Sequence, residues 1–226
     1  MMFKSVKTGV LAAFLVGSAI IAHAQKKIAQ GTITYGAEYS LPPEAAAMAS
    51  QMPKEQKIKF SGNVMRMDVQ QGPASIGIIN DFVEKKGLML IDVPIAQMQF
   101  AVKMSKEEIE SAESSAPKLS DFKATGEKQN VGGYNAEKYT YKDDKGNNYE
   151  LWATTDIELP AGLSGSQFKD VKGALVKYTT FQQGAKVTLT LKNISEDKVG
   201  PFSLEVPSGY ELKTMQEIMA MQGGGQ

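Results

Sequence analysis

Short segments in which apolar and polar residues alternate make up most of the chain after residue 25. Such alternation is typical of strands that bury one face, as in 187–191, where Val187, Leu189 and Leu191 alternate with polar residues. Nearly all the gaps are too short for a parallel crossover, so we expect an antiparallel meander. The predicted strands are Ile28–Ser40, Ile58–Phe60, Val64–Val69, Ile76–Phe82, Leu88–Val93, Met98–Met104, Phe122–Lys128, Tyr134–Tyr141, Tyr149–Thr154, Leu175–Phe181 and Val187–Ile194.

Two longer gaps and the end of the chain have helical patterns instead. Residues 45–51 follow two prolines and carry alanines and Met48 on one side. In residues 105–116, Ser105 is followed three residues later by Glu108, which is the spacing of a capping box. Ile109 is the only large apolar residue of that segment, so we expect a surface helix. Residues 214–221 have the pattern of a third helix.

The strands differ in how many of their faces are apolar. Residues 187–191 are apolar on one face only, which is typical of a sheet with one solvated side. Leu88-Met89-Leu90-Ile91 is apolar on both faces, so part of the sheet should be buried twice. The predicted fold is therefore mainly β (α+β): a strongly curved antiparallel sheet that forms an incomplete barrel, with two or three helices against its concave face.

The N-terminus has the pattern of a signal peptide. Lys4 and Lys7 precede an apolar run from residue 9 to residue 21, and Ala22-His23-Ala24 then provides the small-residue cleavage site. The apolar run is shorter than the about 20 residues that a membrane-spanning helix needs. We therefore predict cleavage after Ala24 and a periplasmic or secreted protein. The predicted divisions are residues 1–24 as signal peptide, 25–222 as one domain and 223–226 as a disordered glycine-rich tail.

The amino-acid composition excludes several classes of enzyme and metal site. The chain has no cysteine, and its single histidine is His23, inside the predicted leader. A mature chain with neither thiol nor imidazole excludes cysteine proteases, Ser-His-Asp hydrolases and Cys/His zinc sites, and we expect no metal and no cofactor. Basic and acidic residues number 25 each, without a basic stripe, so nucleic acid is not an expected partner.

Two motifs that could carry chemistry are better explained structurally. Ser115–Lys118 and Ser166–Lys169 match the S-x-x-K spacing of penicillin-recognising enzymes, but the supporting motifs are missing from the predicted mature chain. Residues 143–148 gather carboxylates and amides without the frame of a calcium loop, and they are typical turn formers. The aromatic residues of the C-terminal half fit cross-strand pairs. We therefore predict that the protein is not an enzyme.

Methionine is unusually frequent, with 12 in the chain. Met65 and Met67 fall on one face of a predicted strand, and Met48 and Met52 fall on one face of a predicted helix. Ordinary core filling and a deformable surface for a flexible apolar ligand both explain this pattern, because thioethers repack easily. Binding of Cu(I) by thioethers is a third interpretation, disfavoured because no histidine or cysteine supports it.

The C-terminal half resembles a known family. The residues that carry the resemblance are Gly133-Tyr134-Asn135-Ala136-Glu137-Lys138-Tyr139, Gly146 to Thr154 with its Leu151-Trp152 pair, Leu159-Pro160, Lys172-Gly173-Ala174-Leu175-Val176 and Phe202 to Tyr210. They resemble an uncharacterised family of exported bacterial proteins, a domain of unknown function that looks like a branch of the LolA/LolB-like superfamily of outer-membrane lipoprotein carriers. The resemblance implies a half-barrel whose apolar concavity shelters acyl chains, and it transfers no catalytic residue.

These observations lead to a functional expectation. We expect a periplasmic, non-enzymatic protein of the cell envelope that binds a lipid or another hydrophobic small molecule in an apolar concavity. The alternative is an envelope structural or protein-interaction module whose core is filled by its own helices and which holds no ligand, with another envelope protein as partner. The residues predicted to line the cavity are Met48, Met52, Met65, Met67, Met89, Ile91 and Trp152.

Overall fold

The computed structural model describes residues 25–43, 52–182 and 185–223. Within these ranges the protein is mainly β, with two short α-helices. The strands are β1 (Lys26–Lys27), β2 (Gln30–Ser40), β3 (Glu55–Ser61), β4 (Val64–Gln71), β5 (Ala74–Asp81), β6 (Lys86–Val93), β7 (Met98–Met104), β8 (Leu119–Val131), β9 (Tyr134–Asp143), β10 (Asn148–Thr154), β11 (Ile157–Glu158), β12 (Ala174–Gln182), β13 (Ala185–Ser195) and β14 (Glu211–Leu212). The helices are α1 (Lys106–Ser115) and α2 (Met215–Gly223).

Twelve of the strands form one sheet, in the order β14-β7-β6-β5-β4-β3-β2-β13-β12-β10-β9-β8. Strands β2 to β7 form one antiparallel meander, and β8, β9, β10, β12 and β13 form a second. The long antiparallel pair of β2 with β13 joins the two meanders. β14 pairs parallel with β7 at one edge, and β1 pairs parallel with β11 in a separate two-stranded sheet.

All the predicted strands are confirmed, with ends that differ by a few residues. The alternation in 187–191 corresponds to β13, where Val187, Leu189 and Leu191 are at most 3% exposed. β1, β11 and β14 were not predicted, because each has two residues and exists only through pairing with a distant strand.

The sheet is open at both edges. β14 and β8 lie at opposite ends of the strand order, and no closed or curled sheet is found among the described residues. The mainly β class and the antiparallel pairing are therefore confirmed, whereas the strong curvature of an incomplete barrel is not found. The two-sided apolar pattern of β6 has another explanation, which is a separate cover on each face.

Two different segments provide these covers. On one face, Leu88 and Leu90 are buried beneath the chain that precedes β14. On the other face, Ile91 is buried beneath Ile218 of α2. The covering side chains of the first segment are Phe202, Leu204, Val206 and Tyr210. The expectation that part of the sheet is buried on both sides is thus confirmed.

Both described helices begin with a reciprocal cap. The Glu108 backbone N–H donates to Ser105 Oγ (3.2 Å), and the Ser105 N–H donates to Glu108 Oε2 (2.7 Å). Thr214 and Glu217 exchange the same two bonds at the start of α2. α1 buries none of its residues, as expected for a surface helix, whereas α2 packs on the sheet through Ile218. The helix predicted for residues 45–51 lies outside the described residues.

Candidate functional site

Several of the predicted cavity residues lie in register on one face of the large sheet, which we call the methionine face. Directly paired residues of antiparallel strands project to the same side, as do residues two apart on one strand. Met67 pairs with Ile58 on β3 and with Ile78 on β5, and Ile78 pairs in turn with Met89 on β6. Ile91 is two residues after Met89, so it shares the face.

Met65 and Trp152 lie toward the large core cluster, on the side of the methionine face away from Ile91. Met65 is two residues before Met67 on β4, and it packs against the large core cluster that contains Trp152. Trp152 itself is 8% exposed, so it belongs to the core. Met52 is half-buried but precedes β3, and no strand pairing assigns it to a face. Met48 lies outside the described residues.

The middle of the methionine face is partly exposed, whereas its two flanks are buried. Ile33 on β2, which pairs with Ile58, and Val102 on β7, which pairs with Met89, are each 1% exposed. Between them, the directly paired side chains of Ile58, Met67, Ile78 and Met89 are only half-buried, as are Met65 and Ile76 beside this row. This group, called here the methionine strip, consists of Ile58, Met65, Met67, Ile76, Ile78 and Met89.

The strip lies between two core clusters. Ile58 and Met65 pack against the large cluster on one side, and Met89 packs against the α2 cluster on the other. Among the described residues, neither cluster includes Met67 or Ile78. An apolar surface held between two rigid clusters can accept a ligand with little reorganisation.

On the reverse side of the sheet, the middle of β4 carries charged side chains. Arg66 lies between Met65 and Met67 on β4, so it projects away from the strip. Its Nη2 atom is 2.8 Å from Asp68 Oδ1, and Lys59 Nζ is 3.7 Å from Asp68 Oδ2. The reverse side of β4 is therefore charged behind the strip, and only Val64 at its start joins the apolar cluster that residues 202–210 cover.

A polar side chain, Asn80, lies on the methionine face at the end of the strip. Asn80 pairs with Met65 on β4 and with Gly87 on β6, and Gly87 pairs with Met104 on β7. Within the described part of the chain, Asn80 Oδ1 is buried and has no hydrogen-bond partner. Leaving such an oxygen unpaired costs about 1–3 kcal/mol. Sequence reasoning missed this residue, although Ile76, Ile78 and Asn80 alternate along β5 and the polar member is visible there.

Two surface clefts lie away from the strip. The larger, of ≈ 570 Å³, separates the end of α1 from the loop before β12, and its lining includes Glu113, Pro117, Lys118 and Ser166. The smaller, of ≈ 260 Å³, lies at the turn between β6 and β7. None of the predicted cavity residues lines either cleft.

The S-x-x-K motifs meet at the larger cleft without forming a nucleophile and base. Lys118, Ser166 and Lys169 line it, but the Ser115 hydroxyl donates within α1 to the carbonyl oxygen of Ser111 (2.9 Å). No hydrogen bond between a serine and a lysine side chain is present among the described residues. The motifs are therefore explained by their local structure.

The carboxylate-rich segment after β9 is a closed turn, as expected. Asp143 Oδ1 accepts from the backbone N–H groups of Lys145 (2.9 Å) and Asn147 (2.8 Å), and Asp143 Oδ2 accepts from the Asn147 side chain (2.8 Å) and the Tyr149 hydroxyl (3.0 Å). The Asn147 side-chain bond, above all, lowers the pKa of Asp143. In the described ranges, no group of three or more acidic or histidine side chains could hold a metal ion.

The aromatic residues form cross-strand pairs. Tyr141 on β9 pairs directly with Tyr149 on β10, and their rings stack at 5.5 Å between centroids. Phe122 of β8 stacks on the other side of Tyr141 at 5.1 Å. These rings project from the side of β9 and β10 opposite Trp152, so they stabilise the second meander rather than the methionine face.

Comparison with known protein families identifies a match for more than half of the chain. A family model described as Domain of unknown function (DUF4412) matches residues 45–177, which include β3 to β11 and every residue of the methionine strip. No curated protein matches the chain. Of the helices in the described residues, none is long and apolar enough to cross a membrane.

Proposed function

The chain belongs to the DUF4412 family, and we propose that it is an exported, non-enzymatic protein that binds a lipid or another hydrophobic ligand on the methionine strip. The observation that carries the proposal is the row Ile58–Met67–Ile78–Met89, which is continuous across four strands and only half-buried. A contiguous, partly exposed apolar surface on a folded protein is typical of a binding site.

The side chains of the strip fit a flexible apolar ligand. Met65, Met67 and Met89 are unbranched, so their thioethers can repack around acyl chains of different length or unsaturation. The proposal includes the predicted likeness to the LolA/LolB-like carriers, in the limited sense of an apolar sheet face that shelters acyl chains. It also includes the periplasmic or secreted location, which is supported by the pattern of residues 1–24.

The binding test uses mass spectrometry of the purified protein. The protein is expressed from its full sequence in bacterial cells, whose membranes supply lipids, and it is then purified. Its mass is measured under native and under denaturing conditions. We expect a co-purifying hydrophobic molecule that is lost on denaturation, and uptake of a fluorescent fatty acid by the emptied protein. A clean native mass in repeated preparations, together with no uptake, would contradict the proposal.

Two variants locate the binding surface. Met65→Glu combined with Met67→Glu should abolish uptake, because it adds two charges to the strip. Met67→Glu alone is the safer variant for folding, because Met67 belongs to neither core cluster among the described residues. Ile95→Glu is the matched control, since Ile95 is 86% exposed in the turn between β6 and β7. The control should bind like the wild type, and equal loss in all three would sink the assignment.

A second candidate function is an envelope interaction module with a self-filled core. One observation favours it: α2 already covers the β6–β7 end of the methionine face through Met215 and Ile218. In that case the protein would carry no ligand, and Met67→Glu would weaken capture of an envelope protein instead of fatty-acid uptake. Uptake measured beside cross-linking in the envelope therefore separates the two functions.

A further inference from the structure

Asn80 is the one polar group that β5 presents among the apolar side chains of the methionine face. Its Oδ1 atom is shielded from solvent and accepts no hydrogen bond within the described residues. Buried side-chain oxygens are nearly always paired, so an unpaired one needs an explanation. Its position at the end of the methionine strip indicates an acceptor that is paired in the ligand-bound protein.

Asn80 Oδ1 lies in a tightly packed notch whose floor is a glycine. Gly87 is the cross-strand partner of Asn80, and a Cβ atom at position 87 would lie 2.6 Å from Asn80 Oδ1. The same Cβ would also collide with the terminal methyl group of Met104. The floor of this notch is therefore backbone, and its movable wall is a flexible thioether that can swing aside for a small group.

The surroundings of the notch select an uncharged group. On β3 to β7, the positions that share the face of Asn80 hold no charged side chain, because the lysines, Arg66 and Asp68 of these strands alternate to the other side. A carboxylate or an ammonium group would lose its hydration there without gaining an opposite charge. A neutral hydroxyl or amide N–H would gain an acceptor.

We propose that Asn80 is the hydrogen-bond anchor for the head of the ligand, so that the protein takes a neutral lipid with a hydroxyl or amide donor and lays its acyl chain along the methionine strip. This inference rests on the proposed function. It adds a chemical class of ligand, a direction for the bound chain and a specificity-determining residue. Fatty alcohols, mono- and diacylglycerols and acyl amides with an N–H group belong to this class, whereas ethers and esters without a donor do not.

The test compares an alcohol with the ether in which a methyl group replaces its hydroxyl hydrogen. Decanol and decyl methyl ether have the same alkyl chain, but only the alcohol donates a hydrogen bond. Calorimetry with the full protein should give roughly tenfold tighter binding of decanol than of the ether. Asn80→Leu should remove this preference, keep binding of the ether and leave the protein more stable to heat. Asn193→Leu, at an exposed asparagine of β13, is the matched control and should keep the preference.

A second variant acts on the notch without changing Asn80. Gly87→Ala should also remove the preference for decanol, because the added methyl group would press against Oδ1 and block a donor from reaching it. Equal affinity of the wild type for the two probes, or a preference that survives Asn80→Leu, would overturn the anchor and leave hydrophobic binding intact. Failure of the wild type to bind either probe would overturn the proposed function and the anchor together.

Discussion

Replacement of Leu88 by alanine tests whether the C-terminal segment holds the sheet as the structure shows. Leu88 is 0% exposed, and its cluster on β5 to β7 is covered by residues 202–210. Truncation of a fully buried leucine costs about 3 kcal/mol, within a range of roughly 2–5 kcal/mol, because it removes apolar contact and leaves a cavity. For a chain of this size the loss corresponds to a fall in Tm of about 6–12 °C.

The neighbouring residue supplies the matched control for this prediction. Met89 follows Leu88 on β6 but projects to the methionine face and is only half-buried. Met89→Ala removes less buried apolar surface and should cost roughly 1 kcal/mol. The difference between the two variants therefore measures the burial of one face of β6 against that of the other.

The assay is urea unfolding followed by the fluorescence of Trp152, the single tryptophan. Trp152 lies in the large cluster, whereas Leu88 lies in a different one. The fluorescence of Trp152 therefore detects the lower stability of Leu88→Ala only if both regions unfold together. We expect Leu88→Ala to lower the midpoint and leave the slope of free energy against urea unchanged. A loss below about 1 kcal/mol, or an equal loss for Met89→Ala, would refute the packing argument.

The remaining predictions concern two titrating groups and one helix cap. The hydrogen bond from the Asn147 side chain, above all, holds the pKa of Asp143 below its ordinary value of 3.8. The Asp143 carboxylate therefore contributes stability above that pH, and this contribution is lost as pH falls through the lowered pKa. Asp143→Asn should flatten the acid limb of Tm against pH. Burial raises the pKa of Tyr141 from 10.0 to about 12, so its contribution to stability is full below pH 10 and is lost as pH rises through about 12. Burial also raises the pKa of Tyr35 and of Tyr178, so Tyr141→Phe should make the alkaline limb of Tm against pH less steep without removing it, and an unchanged limb would contradict this assignment. Ser105→Ala removes the cap of α1 at a cost of about 1 kcal/mol, and hydrogen exchange should accelerate in α1 while the core amides stay protected; unchanged exchange in α1 would contradict the cap.

Local patterns were enough to predict most of the fold. The alternation of Val187, Leu189 and Leu191 corresponds to β13, and the Ser105/Glu108 spacing corresponds to the observed capping box. Both patterns act within a few residues, so the sequence records them directly. The family resemblance is confirmed as a domain of unknown function, while its link to lipoprotein carriers belongs to the proposal.

Features that depend on distant pairing were beyond the sequence. The two-sided apolar pattern of 88–91 was attributed to a curved sheet, but the covers are α2 and residues 202–210, which are more than a hundred residues away along the chain. Periodicity shows that a face is buried and cannot show which segment buries it. β14 was missed for the same reason, because its two residues become a strand only beside β7.

The candidate site was predicted in part. Alternation correctly placed Met65 and Met67 on one face, and the register adds Met89 and Ile91 to it. Sequence reasoning missed Ile58, Ile76, Ile78 and Asn80, because their place on the face comes from pairing across β3 to β6, which no single segment records. The methionines were selected because they are frequent and share faces of predicted elements, whereas isoleucine is common in any strand and gave no such signal.

Photo-cross-linking tests the central claim, which is that the methionine strip binds a hydrophobic ligand. A fatty alcohol with a diazirine on its alkyl chain is bound to the protein, irradiated and mapped by peptide mass spectrometry. We predict adducts on β4, β5 and β6 at the residues of the strip, with Met67→Glu suppressing them. Adducts confined to exposed apolar residues elsewhere, such as Ile95 or Met219, or unchanged labelling in Met67→Glu, would contradict the account.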